Sequence, residues 1–246
     1  MMFWFKKSEI IVDCFTPHHD IYESYRPLPA SHFIPEGWKN LPKTISMRAM
    51  PNSKIEIPRG TLKLCKGFTN LFSSGFILQL WTDVILDANT EPMSQLAASD
   101  FIMFNSHPKF QMWEGLYDGY KHVKFSSPWN LVEKTGVRFT WNRCDWHNTE
   151  NAHKMHMLSA VTDFKYQHHV NMNIFVKDNE TVNLSAGQPM VHLIPISEKK
   201  VKLKYHVISH QEFDSKFSHM TKFSGKYKES VRIVDNKPKC PFGFSK

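Results

Sequence analysis

A succession of short apolar runs between residues 122 and 208 restricts this chain more than any other feature. Val123–Phe125, Trp129–Glu133, Val137–Trp141, His169–Val176, Thr181–Leu184 and Val191–Pro195 are rich in β-branched and aromatic residues and too short for stable helices. Polar segments suited to turns, Lys177-Asp178-Asn179-Glu180 and Ser185-Ala186-Gly187-Gln188, separate the later ones. Val201–Ile208 alternates apolar residues with Lys202, Lys204 and His206, the pattern of a half-exposed strand. Strands this closely spaced predict a mainly β sandwich or barrel.

The flanking segments predict what surrounds that core. Ile10–Phe15 reads as a strand, but Pro17, Pro27, Pro29, Pro35, Pro42, Pro51 and Pro58 leave no room for a long helix. Residues 1–60 are therefore expected to form an extended Pro-rich N-terminal arm, anchored by Phe33 and Trp38. Residues 61–208 form the β core. Within it Thr61–Cys65 reads as a strand and Gly75–Asp87 as a single central strand, with a short helical turn in 91–100. In residues 209–246, Ser209 caps a helix with an apolar stripe of Phe213, Phe217, Met220 and Phe223, and an extended basic tail follows Val234.

Composition narrows the classes. With 41% apolar and 22% charged residues the chain is no disordered tail. Its 10 Gly and 14 Pro follow no period, which excludes collagen-like and low-complexity architectures. No apolar run approaches the roughly 20 residues of a membrane span, so no membrane partner is expected. The opening Met1-Met2-Phe3-Trp4-Phe5-Lys6-Lys7 places its apolar residues before its lysines and does not read as a signal peptide. Cys14, Cys65, Cys144 and Cys240 are too far apart for a local CxxC motif and are expected to be buried free thiols in a reducing compartment. The net charge of +8, concentrated among the lysines after Lys199, suits either a basic solvated surface or an anionic partner.

The densest chemical cluster runs from Arg143 to His156, with three histidines and two carboxylates in fourteen residues. His147, His153 and His156 are its candidate metal ligands, with His168 and His192 further along the chain, and would make a histidine-dependent metalloenzyme on a jelly roll. Neither the cupin histidine pattern nor H-E-x-x-H is present, and a surface loop crossing the end of a barrel fits the same residues. His18-His19 and His168-His169 are adjacent pairs, so in a strand each pair offers one side chain to a given face. There is no G-x-S-x-G, no P-loop and no G-x-G-x-x-G.

Ala160-Val161-Thr162-Asp163-Phe164-Lys165-Tyr166 resembles the third motif of the trimeric dUTPase family, and Ala186-Gly187-Gln188-Pro189-Met190-Val191-His192-Leu193-Ile194-Pro195 falls where that family has its final Gly-x-Arg strand. Arg143 lies near the place of the family's Arg-Ser phosphate motif. The resemblance covers residues 135–197. It implies a dUTPase-like β-clip or jelly-roll fold, a homotrimer with sites between subunits, and Mg²⁺ wherever nucleotide is handled. Asp163 would anchor the sugar, Tyr166 would lie beside it and Arg143 would contact phosphate. Here Cys144 replaces the family's Ser, and Gln188-Pro189 stands where its Arg would be.

A second, broader resemblance is to proteins of tailed phages of marine bacteria. It rests on Phe33-Ile34-Pro35-Glu36-Gly37-Trp38-Lys39-Asn40-Leu41-Pro42, Cys65-Lys66-Gly67-Phe68-Thr69-Asn70 with Gly75–Asp83, and Lys124-Phe125-Ser126-Ser127-Pro128-Trp129. It implies a product in the host cytoplasm or on the virion. Together the readings favour a phage-encoded, non-enzymatic β protein that acts in binding or in virion structure and assembly. Its expected partners are copies of itself, an anionic ligand, or a phage or host protein. A pyrimidine-nucleotide-binding protein or dUTPase-type hydrolase is the alternative.

Overall fold

The computed structural model describes residues 9–51, 54–99, 104–106, 108, 110, 112–113, 115–147, 149–217, 231–232 and 235. The chain opens with β1 (Ile10–Thr16), α1 (His19–Tyr25), β2 (Leu28–Pro29) and α2 (Glu36–Asn40). A separate hairpin, β3 (Thr44–Arg48) and β4 (Glu56–Gly60), precedes α3 (Lys66–Ser73). Next come β5 (Phe76–Gln79), β6 (Val84–Asp87), β7 (Ser94–Ala97) and β8 (Phe104–Asn105). The longest strand, β9 (Tyr120–Glu133), leads to β10 (Arg138–Arg143), β11 (Met155–Met157) and β12 (Ala160–Asp163). The remainder is β13 (His169–Lys177), β14 (Thr181–Leu184), β15 (Pro189–Pro195), β16 (Val201–Val207) and α4 (His210–Phe217).

Two larger sheets carry the fold. One runs β11-β13-β9-β1-β16, with β8 also on β9, and the other runs β12-β10-β15-β5-β2. Their inward residues merge into a single core that includes Val12, Val123, Leu131, Met172 and Ile174 from the first and Phe76, Leu78, Phe139 and Leu193 from the second. A third sheet, β14-β6-β7, adds Val84, Leu86, Val182 and Leu184 to that core. Among the described residues the sheets keep free edges, so the architecture is that of layered open sheets and not a closed barrel.

Several expected elements take a different form. β1 does not drape over the core as part of an arm. It pairs parallel with β16 and antiparallel with β9 in the interior of the first sheet. Gly75–Asp87 is two strands in two sheets, because the chain turns between Leu80 and Asp83 and Leu80 bonds across to Gly187 and Gln188. Residues 62–64 form a 3₁₀ turn, with the Thr61 side chain accepting from the Lys63 amide at 3.2 Å, in place of a strand. The region expected to hold a helical turn contains β7, paired with β6.

Other expectations hold. The turns at Asn179 and Gly187 use positive φ, 63° and 81°. Ser209 accepts from the Glu212 amide at 3.2 Å and caps α4. Trp38 is buried, and Phe33 packs against a small outer cluster of Ala30, Ile77 and Cys144. Cys14 and Cys144 are buried free thiols, whereas Cys65 is exposed. Met220, Phe223, Cys240 and residues 236–246 lie outside the described residues. Among the described residues no helix is long and apolar enough to cross a membrane.

Candidate functional site

The register of β10 decides how the dUTPase-like residues stand to one another. Asp163 is paired with Arg138, at one end of β10, and Arg143 is at the other. Five residues at about 3.4 Å each put the two about 17 Å apart along the strand. The odd spacing also turns them to opposite faces of the sheet. Asp163 closes its own turn by accepting the Lys165 amide at 2.9 Å. Tyr166 donates to Asp235 at 3.1 Å, and Lys165 donates to Tyr166 at 2.7 Å. The Arg143 guanidinium pairs with Asp145 and donates to the Met155 carbonyl at 2.5 Å. Within one chain, Asp163 and Tyr166 share a corner that Arg143 does not reach.

The candidate metal histidines also separate. His147 ends a 3₁₀ turn (Asp145–His147), His153 is exposed in the following turn, and His156 is on β11. His156 bonds the Tyr120 hydroxyl at 3.2 Å and stacks on Tyr117. His168 donates through Nδ1 to the carbonyls of Leu131 and Phe164. Among the described residues no three His, Cys, Asp or Glu side chains are grouped to hold a metal ion.

What the fold does bring together is His147 and His192. Alternation along the second sheet puts Asn142, His192 and Ile77 in one row, since Asn142 pairs with His192 and His192 with Ile77. That row is on the outward face, opposite the inward Trp141, Leu193 and Phe76. Ala30, α3 and the Asp145–His147 turn cover it and leave a hollow of about 230 Å³. Trp146 closes one side, its ring against Trp38, Phe68 and Phe72 at 6.1, 5.1 and 5.7 Å.

Burial lowers the pKa of both imidazoles, so both are neutral near pH 7. Each has a fixed tautomer. His192 donates Nε2–H to the Ser74 carbonyl at 2.7 Å, and His147 bonds the Phe33 backbone. The Cys144 thiol beside them is pushed far up by burial and is therefore a packing group rather than a nucleophile. Asn142, Trp146, Phe72 and Ile77 were not singled out from sequence. The available signal was His192 itself, a lone imidazole in the apolar run Met190-Val191-His192-Leu193.

A second surface draws attention for its exposure. Ile45 pairs with Arg59 and Met47 with Ile57 across β3–β4, so Ile45, Met47, Ile57 and Arg59 share one face. Thr44, Ser46, Glu56 and Pro58 occupy the other, where the Ser46 hydroxyl donates to Glu56 at 2.6 Å. This is the period-two pattern of a strand pair packed on a core. Yet every residue of β3 is exposed, Ile45 by 43% and Met47 by 51%. No protein-family model matches the chain, and a search of the curated proteins also found no match.

Proposed function

We propose that this chain is a non-enzymatic β-sandwich protein that assembles with copies of itself, with the β3–β4 hairpin as its assembly arm. The hairpin carries the reading. An isolated two-stranded hairpin is marginal in water, and this one leaves Ile45 and Met47 exposed on the face that would stabilise it. A neighbouring subunit supplies the missing core. The dUTPase-like resemblance of residues 135–197 supports a trimer. The resemblance to phage proteins supports a role in binding or virion assembly, in the host cytoplasm or on the particle.

The test is the mass in solution of the full chain and of an Ile45→Ser, Met47→Ser variant. The wild type is expected to sediment as an oligomer. The variant is expected as a monomer that still unfolds cooperatively, because exposed positions contribute little to the fold of one chain. A monomeric wild type, or a variant that keeps the oligomer, removes the hairpin from assembly.

The separation of Asp163 from Arg143 favours a second reading, a pyrimidine-nucleotide site shared between subunits. Asp163 and Tyr166 would come from one chain and Arg143 from the next, with Mg²⁺ on the phosphates. Asp163→Asn is expected to abolish nucleotide binding measured by calorimetry with Mg²⁺ present. Retained affinity in that variant excludes Asp163 from such a site.

A further inference from the structure

Several donors around the hollow between the outward face of the second sheet and α3 are already engaged. The His192 N–H is held by the Ser74 carbonyl, and a His147 ring N–H by that of Phe33. The Asn142 amide donates to the Thr140 hydroxyl at 3.0 Å. The Arg143 guanidinium turns to Asp145 and the Met155 carbonyl. Acceptors remain in the second ring nitrogen of each neutral imidazole and the Asn142 carbonyl oxygen, beside the second Asn142 N–H and further Arg143 N–H groups as donors. A planar ligand that carries both N–H donors and acceptors matches this lining.

Shape and charge narrow it further. The hollow is about 230 Å³, below the roughly 300–1,000 Å³ of drug-sized sites. It takes one ring or a fused pair and excludes a whole nucleoside triphosphate. Ile77, Phe72 and Trp146 give it apolar and aromatic walls. The Arg143–Asp145 pair leaves the lining without net charge. Burial already keeps both imidazoles from carrying a proton, and a cationic guest would meet the same desolvation. A larger hollow of about 400 Å³ lies near Lys121, which is paired with Glu91 at 2.9 Å and donates to the Thr90 carbonyl.

We infer that this hollow is a binding site for a compact, uncharged, planar nitrogen heterocycle with N–H donors, of the size of a free nucleobase. The ring lies between Trp146 and the Ile77 row, and its N–H groups donate to acceptors among His147, His192 and Asn142. This site is independent of the hairpin and of the Asp163 corner.

Calorimetry on the full chain at pH 7.5 tests it with uracil, adenine, dimethyluracil (which has lost both N–H groups) and methylguanidinium. Uracil or adenine is expected to bind one per chain, with dimethyluracil and methylguanidinium weaker by at least about tenfold. His147→Phe keeps the wall and removes the acceptor, and Asn142→Leu keeps the volume. Each is expected to weaken the base by at least about tenfold. The proposal is overturned if neither base binds, if dimethyluracil or methylguanidinium binds as tightly as the base, or if both variants bind normally. The dimethyluracil comparison uses only the wild type, so it stands even where a variant fails to fold.

Discussion

Glu133 ends β9 with 1% of its surface exposed, and its carboxylate organises the turn into β10. One oxygen accepts from the Thr135 amide at 2.8 Å and from the Thr135 hydroxyl. The other accepts from the amides of Gly136 and Val137 at 2.7 and 3.0 Å. Glu133→Ala removes the charged acceptor of those part-buried donors and is expected to cost about 2 kcal/mol. Glu133→Gln, which keeps the shape and loses the charge, is expected to cost less. Urea unfolding of the two variants checks both the loss and the order; an unchanged midpoint for Glu133→Ala contradicts this account of the turn. Nothing local in the sequence marks Glu133, because its importance comes from donors in the following loop. His147 and His192 were both singled out in the sequence as candidate ligands, but their meeting was not legible. The two meet only through the pairing of β10 with β15 and the fold of the Asp145–His147 turn.

At the scale of elements, runs that pair antiparallel were readable and the breaks between them were not. The run Ser126-Ser127-Pro128 reads as a gap between two strands, because proline removes a ladder donor. The structure carries β9 through it as one strand. The register against β13 shifts between His169 and Asn171, opposite this stretch, and such an irregularity accommodates the proline. The opposite error occurs at Gly75–Asp87, where a continuous apolar run crosses between two sheets. Gly75 has φ of 69°, and a Cβ there would sit 2.0 Å from the Leu193 carbonyl oxygen, so β5 can begin against β15 only with glycine. The hairpin β3–β4 was invisible for another reason. Its prolines Pro51 and Pro58 argue against a buried strand and say nothing against an exposed one. Pro58 also leaves β4 a poor edge for further pairing, so the face of the arm that carries Ile45 and Met47, and not its edge, is where a neighbour is expected.

At the scale of the whole molecule, the mainly β class and most strand positions were legible in the alternation of apolar residues. Of the expected sandwich or barrel the sandwich-like form holds, but which strands share a sheet was not legible, because β1 and β16 meet parallel across nearly the whole chain. The histidines give the molecule a pH dependence with a definite sign. His18, His147, His156 and His192 all have pKa values below their ordinary 6.5, burial being the first cause in each case. Above pH 6.5 they are neutral in both folded and unfolded chains. Below it the unfolded chain binds protons that the folded one refuses, so stability is lost as pH falls. The melting temperature is expected to be lower at pH 5.5 than at pH 7.5, and an equal or higher value at pH 5.5 contradicts the burial of these imidazoles.

The central claim, that a second copy covers the β3–β4 arm, is tested most directly by amide hydrogen exchange of residues 44–60 at two protein concentrations. A covered arm predicts slow exchange at high concentration that becomes fast on dilution, while the amides of β9 and β13 stay protected throughout. Fast exchange in the arm at both concentrations would show that no copy of the chain covers it, and the assembly role would fall with it.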